Sequence, residues 1–290
     1  MTASLLRQKL FAGQFVVTAE VAPPKGCDLS AFLHAASLVA PHVDAVNVTD
    51  NQGANMRMTP LIGAAVLVRE GIEPIMQLTC RDRNRLALQS DLLGAAAAGV
   101  CNILALTGDH IGCGDHRQAK AVFDLDSVLL LQTVQSMNGG HDMGGAALNG
   151  VADFFCGAAA APEAEPFAAT RPKLAKKAAA GARFFQTQAV FDSEKLSRFT
   201  TVSHELGVKV VVGILVLKSA KMAEFINRNI PGLNVPQHLV ERLANAHNQA
   251  EEGERIAIET AVACRDLCDG IHIMTMGRDD CVARIVNHLK

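Results

Sequence analysis

The chain of 290 residues contains no tryptophan and no tyrosine. A planar ligand would therefore have to stack on phenylalanine, on aliphatic side chains or on the backbone. A strong charge of one sign is also missing, because 27 basic and 29 acidic residues leave a net charge of −2. Without a basic field, neither nucleic acid nor a membrane surface is expected as a partner.

Long apolar segments are absent as well. No run approaches the roughly 18 apolar residues of a membrane-spanning helix, and the start of the chain has no stretch of signal-peptide length. We therefore expect a soluble cytoplasmic protein. None of the eight cysteines forms a CxxC pair, and the closest spacing is Cys264-x3-Cys268. This pattern is typical of reduced, mostly buried thiols, so no metal or iron–sulfur site is predicted.

What the sequence does contain is a repeated alternation of strand and helix patterns. Apolar residues make up 49% of the chain, which is enough for a large core. Eight short apolar or β-branched runs recur, and longer segments with helical periodicity lie between them. The predicted strands cover residues 15–21, 44–49, 73–79, 102–107, 152–157, 182–188, 209–214 and 270–274.

This alternation predicts the fold class. Strands that alternate with helices indicate parallel pairing, and near-continuous apolar strands indicate burial on both faces. Eight such units without a linker favour a single (β/α)8 barrel of the TIM type over residues 1–290. No GxGxxG follows the first strand, which disfavours an open dinucleotide-binding sheet. Two elaborations are expected: a Gly-rich connection at 138–150, and extra helices between strands seven and eight around Pro231 and Pro236.

Polar residues at the carboxyl ends of the strands are the candidates for a functional site, because barrel enzymes build their active sites there. Glu20 lies within the first strand and Asp109 follows the fourth. The structural alternatives are a strand-end salt bridge for Glu20 and a helix cap or turn for Asp109. The amide of Gln188 suits recognition of a planar heterocycle, whereas Lys176 and Lys177 alone would be typical of a solvated helix face.

The motifs at these strand ends resemble those of methylenetetrahydrofolate reductases. The resemblance runs through nearly the whole chain, and its pieces occur in the order of the family. They are VTAE at 17–20, PPKG at 23–26, QLTC at 77–80, LTGD at 106–109, APEA at 161–164, KK at 176–177, AGA at 180–182, TQ at 187–188, FD at 191–192 and GIL at 213–215.

The resemblance implies a flavoprotein that uses FAD to reduce 5,10-methylenetetrahydrofolate to 5-methyltetrahydrofolate with ping-pong kinetics. Glu20 matches the family's acid, Asp109 the carboxylate near the flavin and the pterin, and Gln188 an amide that contacts the folate. The cofactor-binding positions implied by the match are Thr49, Gln77, Gly108, Asp109, Pro162, Ala164, Lys176 and Lys177. The two lysines match cations near the pyrophosphate.

Several positions depart from the family pattern. Members often carry histidine where this chain has Gln77 and arginine where it has Thr107. An aromatic residue and a histidine that often border the flavin adenosine are replaced by Gly157 and Ala161. These departures keep FMN open as an alternative to FAD.

The electron donor is also left open. Members that use NAD(P)H stack an aromatic residue on the nicotinamide after strand seven, but this chain has no aromatic there before Phe225. The chain resembles a branch from bacteria with acetogenic or other one-carbon metabolism, in which a partner subunit can deliver the electrons. The resemblance is compatible with a homo-oligomer or a hetero-oligomer.

Two other functions compete with this interpretation. One is a barrel that binds a one-carbon pterin without redox chemistry, as a methyltransferase or a corrinoid-protein partner. Such a barrel would need neither Asp109 near a flavin nor the paired lysines. The other is a non-catalytic scaffold subunit, which would be expected to have lost Glu20, yet Glu20 is present.

Overall fold

A computed structural model describes residues 4–230 and 233–289. Its centre is a closed barrel in which each strand pairs in parallel with the next, and β8 closes the ring against β1. The strands are β1 (Val16–Val21), β2 (Ala45–Val48), β3 (Pro74–Thr79), β4 (Asn102–Leu106), β5 (Phe155–Ala160), β6 (Phe184–Ala189), β7 (Lys209–Leu215) and β8 (Gly270–Met274). The predicted TIM-type barrel is therefore confirmed.

The helices surround this barrel. They are α1 (Leu5–Phe11), α2 (Ser30–Val39), α3 (Pro60–Arg69), α4 (Arg85–Ala97), α5 (Ser127–Asn138), α6 (Phe167–Ala179), α7 (Ser193–Glu205), α8 (Ala220–Asn229), α9 (Gln237–Asn245), α10 (Gln249–Cys264) and α11 (Cys281–Asn287). In the described part of the chain, none of them is both long and apolar enough to cross a membrane.

Helix α1, which the strand pattern did not predict, closes the amino-terminal end of the barrel. Leu6 and Leu10 are fully buried, and they pack against inward-facing strand residues such as Phe155 and Phe184. The carboxylate of Glu73 accepts hydrogen bonds from the backbone N–H groups at the start of this helix. One end of the barrel is thereby plugged, and only the carboxyl ends of the strands remain as a mouth.

Strand β5 begins and ends three residues later than predicted. The side chain of Asn138 accepts a hydrogen bond from Phe154 N and donates one to Phe154 O, both at 2.9 Å. These bonds hold the segment before Phe155 against the end of α5, outside the sheet. The small residues up to Ala160 pair with β6 instead. The shift leaves only glycine and alanine, the smallest residues, in the carboxyl-terminal half of β5 near the mouth.

Both predicted elaborations lie where the sequence indicated. The Gly-rich segment connects α5 to β5 and contains an antiparallel bridge between His141 and Ala147. The extra helices α8, α9 and α10 lie between β7 and β8 and share an apolar cluster with Leu215 and Leu217. Pro236 caps the amino terminus of α9, while Pro231 lies outside the described residues.

Candidate functional site

A layer of buried polar side chains fills the barrel interior beneath its mouth. Asn47 Nδ2 donates to Gln186 Oε1 at 2.6 Å and lies 3.2 Å from His272 Nδ1. Thr18 Oγ1 lies 3.0 Å from the same ring nitrogen. With Nδ1 accepting from Asn47, the hydrogen of a neutral imidazole lies on Nε2. The four side chains come from four different strands, so this arrangement exists only in the closed barrel.

The carboxylate of Glu20 lies directly above this layer. The residue is 7% exposed, and its Oε2 is 3.6 Å from Nε2 of the fully buried His272. Its Oε1 accepts a hydrogen bond of 3.4 Å from Gln52 Nε2. Among the described residues, no lysine or arginine pairs with Glu20. The alternative of a strand-end salt bridge to a lysine or arginine is therefore wrong, and Glu20 is a nearly buried acid in contact with the polar side chains of His272 and Gln52.

Asp109 lies in the loop after β4, on the rim of the mouth. Its Oδ2 accepts a hydrogen bond of 3.2 Å from Gly53 N, which belongs to the loop after β2. The next α-helix begins at Ser127 and is capped by Asp126, so Asp109 is not its N-cap. The preceding Gly108 has φ of 98°, and a Cβ there would lie 2.9 Å from Cβ of Arg81. Glycine is thus required for the chain to turn toward the mouth at this point.

The buried Arg81 connects the loops that form the rim of the mouth. Its side chain is 2% exposed and pairs with Asp82 at 2.6 Å. The same guanidinium donates to the carbonyl of Asn51 at 3.2 Å and to that of Asp109 at 3.4 Å. Burial opposes the charge of Arg81, but its hydrogen bonds to Asp82 and the charges of nearby carboxylates raise its pKa. One buried cation therefore holds the loops after β2, β3 and β4 together.

The remaining candidates on the strands also face the mouth. Gln188 shares an inward side of β6 with Gln186, but lies nearer the carboxyl end and is exposed. Gln77 and Thr49 are buried at the ends of β3 and β2. The hydroxyl of Thr49 is enclosed and has no hydrogen-bond partner within the described residues. A buried polar atom without a partner is uncommon and is consistent with a ligand contact.

The candidates after β5 are divided between a loop and a helix. Pro162 is buried and Ala164 half-buried in the loop, which is fixed by hydrogen bonds from Phe191 N and Asp192 N to Glu163. Helix α6 then runs away from the mouth, so Lys176 is exposed near its far end.

Lys177 differs from its neighbour because its long side chain reaches back along the barrel wall. Its ammonium donates to the carbonyl of Ala159 at 2.7 Å, and burial lowers its pKa. Of the two lysines, Lys177 therefore has its charge closer to the mouth. No disulfide joins the cysteines of the described residues, and in these ranges no group of three histidine, cysteine or acidic residues is placed to hold a metal ion.

The sequence-based search missed three residues of this site. Asn47 and His272 each interrupt an apolar strand at an inward position, in VNV and IHI. This interruption was the available signal, because a polar residue at an inward position of a barrel strand needs a buried partner. Gln52 gave no comparable signal, since a glutamine in a loop is usually solvated.

Comparisons with known proteins agree with the motifs. The model of the methylenetetrahydrofolate reductase family matches residues 5–290. The 5,10-methylenetetrahydrofolate reductase of Salmonella typhimurium is 26% identical over 92% of this chain and 88% of its own length. A probable methylenetetrahydrofolate reductase (NADPH) of Caenorhabditis elegans is 25% identical over 79% of this chain, but the match spans only 34% of that protein.

A solved structure of tryptophan synthase from Mycobacterium tuberculosis is similar in fold, with a TM-score of 0.57. The match covers 99% of both chains at 11% identity, so it shows the barrel architecture alone. The family match extends over almost all of the chain and includes every strand that carries a candidate residue. The chain therefore belongs to the methylenetetrahydrofolate reductase family.

Proposed function

We propose that this protein reduces 5,10-methylenetetrahydrofolate to 5-methyltetrahydrofolate with a bound flavin, which is FAD or, as the alternative, FMN. The observation that carries the proposal is Glu20, a nearly buried carboxyl group at the barrel mouth that no lysine or arginine of the described residues neutralises. The family match supports the substrate, and a nearly buried acid without a lysine or arginine partner among the described residues supports proton transfer.

Three observations support the proposal of a planar cofactor. The upper half of β5 carries only glycine and alanine, which leave space above the polar layer. The buried hydroxyl of Thr49 has no hydrogen-bond partner in the part of the chain that the structure describes. Phe123, the aromatic residue of the loop after β4, is 38% exposed beside a surface cavity that Thr107 also lines. A bound flavin would supply the hydride.

Within this proposal Glu20 delivers the proton. Opening of the imidazolidine ring of the folate requires a proton on the departing nitrogen, and the methylene carbon then accepts the hydride. His272 beneath Glu20 and Gln52 above it would fix the two oxygens of the carboxyl group. Gln188, at the same mouth, would contact the heterocycle of the folate through its amide. Lys177 would hold the phosphates of the cofactor. Lys176 would join it if its side chain turned toward the mouth.

The decisive experiment is an anaerobic visible spectrum of the flavin-reconstituted protein before and after addition of 5-methyltetrahydrofolate. We expect the flavin bands to bleach, because the reverse hydride transfer reduces the flavin. A bound flavin that stays oxidised would contradict this folate as the substrate. If no flavin binds, the pterin-binding barrel without redox chemistry becomes the better hypothesis.

The same measurement with NADH in place of the folate tests whether NADH donates electrons to the flavin. We propose that a partner subunit, rather than NAD(P)H, reduces the flavin in this protein. The segment directly after β7 is buried and aliphatic, and Phe225 lies on α8 with 59% of its surface exposed. We therefore expect NADH to leave the flavin oxidised, and rapid bleaching by NADH would show the donor assignment to be wrong.

Replacement of Asp109 by asparagine should slow the folate half-reaction by about tenfold, which equals about 1.4 kcal/mol. The negative charge near the flavin would disfavour an anionic reduced ring and so favour hydride donation, and asparagine removes that charge while keeping the shape. Reduction of the flavin by dithionite should still occur. Stopped-flow absorbance measures both steps.

The matched control is Asp266→Asn, because the side chain of Asp266 is 92% exposed and precedes β8 at the opposite end of the barrel. This variant should behave like the unmodified protein. Equal folate rates for Asp109→Asn and the unmodified protein would show that Asp109 is only a structural residue of the turn after β4.

A further inference from the structure

The loop after β2 has an unusual backbone. Asn51, Gly53 and Ala54 all adopt left-handed conformations, with φ of 44°, 63° and 59°. For residues other than glycine this conformation costs on the order of 1 kcal/mol each, and it persists only where surrounding contacts enforce it. Two such residues within four positions indicate that this loop is held in place for a reason other than its own stability.

The contacts that enforce this backbone come from the neighbouring loops. Arg81 donates to the carbonyl of Asn51, and Asn51 Nδ2 donates to Asp82 at 3.1 Å. The loop after β4 packs so closely that a Cβ on Gly114 would lie 1.8 Å from the carbonyl oxygen of Ala54. The loop is thus clamped on both sides, between the ends of β3 and β4.

The clamped loop presents one backbone donor and one side-chain donor to two acids. Gly53 N–H donates to Asp109, and Gln52, between the left-handed residues, places its amide 3.4 Å from Oε1 of Glu20. Gln52 is exposed, whereas Glu20 is nearly buried, so the amide approaches the acid from the mouth. Because His272 lies at the other oxygen, Gln52 is the contact that fixes the mouth-facing oxygen.

We propose that Gln52 is a positioning residue for Glu20, an inference that rests on the proposed function. An amide suits this position because it can donate N–H to a carboxylate and, after rotation, accept O–H from a carboxylic acid. Gln52 can therefore hold Glu20 both before and after the proton leaves. A lysine or arginine would favour only the ionised form.

The test compares folate turnover of Gln52→Ala and Gln52→Glu with that of the unmodified protein. Loss of one hydrogen bond to a charged group should lower the rate constant of the folate half-reaction by about tenfold, with less than about twofold change in the folate dissociation constant. Gln52→Glu should also lose rate, because a carboxylate has no N–H to donate to Glu20. Flavin binding and reduction by dithionite should be unchanged in both.

The control variant is Asn55→Ala in the same loop. Asn55 donates to the carbonyls of Gln52 and Gly53 but does not contact Glu20. It should retain the folate rate within about twofold, because it bonds the backbone carbonyl of Gln52 and not the side-chain amide that contacts Glu20. An equal loss in Asn55→Ala and Gln52→Ala would show that loop structure, and not the Gln52 amide, matters, and would overturn the proposal.

A double-mutant experiment distinguishes a positioning role of Gln52 from a purely structural role. In a Glu20→Asp background the carboxyl group is withdrawn from Gln52 by one methylene, so Gln52→Ala should add less than about twofold to the loss. If the rate losses of Glu20→Asp and Gln52→Ala are fully additive, the proposal is overturned. If the unmodified protein does not turn over the folate, the proposed function fails and this inference with it. If it does, and Gln52→Ala has the same rate, only the Gln52 inference fails.

Discussion

Replacement of Glu20 by glutamine is expected to slow the folate half-reaction by about a thousandfold, the range typical of a lost general acid. Glutamine has nearly the same shape and can keep its contact with Gln52, but it has no acidic proton to deliver to the folate nitrogen. The residue is 7% exposed, which limits replacement of that proton by water. Anaerobic stopped-flow absorbance of the flavin, with the folate as oxidant, measures the rate.

The rest of the protein should tolerate this change. No lysine or arginine in the described ranges pairs with Glu20, so no strong ion pair is broken. The melting temperature, flavin content and reduction by dithionite should therefore match those of the unmodified protein. Glu70→Gln is the control, since Glu70 is an exposed residue at the end of α3. Near-normal folate turnover by Glu20→Gln would exclude Glu20 as the acid.

Replacement of Arg81 by methionine is expected to lower the free energy of unfolding by about 3 kcal/mol. The change leaves the half-buried carboxylate of Asp82 without its cation and the carbonyls of Asn51 and Asp109 without that donor. Three strand-end loops lose their common contact, so flavin retention should also fall. Equilibrium unfolding in urea measures the loss.

Arg85→Met provides a matched control for this prediction. Arg85 also forms two hydrogen bonds to one aspartate, Asp124, but its side chain is 52% exposed. A pair this exposed is screened by solvent and should contribute much less to stability than the buried pair of Arg81 and Asp82. A similar loss in both variants would show that burial of Arg81 is not what stabilises the rim.

The stability that Arg81 contributes through Asp82 should decrease at low pH. Burial alone would raise the pKa of Asp82, but the hydrogen bonds from Arg81 and Asn51 lower it below its ordinary value. A carboxyl group with a lowered pKa in the folded state stabilises the protein above its unfolded pKa, and this contribution disappears as the pH falls. The difference in stability between the unmodified protein and Arg81→Met should therefore narrow below about pH 4.

Much of the fold could be read from local patterns. The bounds of β8 were predicted to the residue, because its apolar run is short and is bordered by Asp269 and Thr275. Strand β5 was misplaced by three residues, since its alanines have no strong preference for a strand. The contact between the Asn138 side chain and Phe154, which moves the start of the strand, joins residues 16 positions apart.

The sequence by itself determined the barrel, the family and the strand ends that carry Glu20, Asp109 and Gln188. These features depend on periodicity and on motifs within single segments, which a linear chain displays directly. Whether Glu20 pairs with a cation, or Asp109 caps a helix, could not be decided from such segments.

Only the tertiary structure decided which side chains meet. His272 reaches Glu20 because β8 closes the ring against β1, although the two residues are separated by most of the chain. Gln52 reaches Glu20 because Arg81 and the loop after β4 hold the residues around it, Asn51, Gly53 and Ala54, in left-handed conformations. Such contacts depend on long-range packing and on the strain it supports, and neither leaves a periodic signal in the sequence.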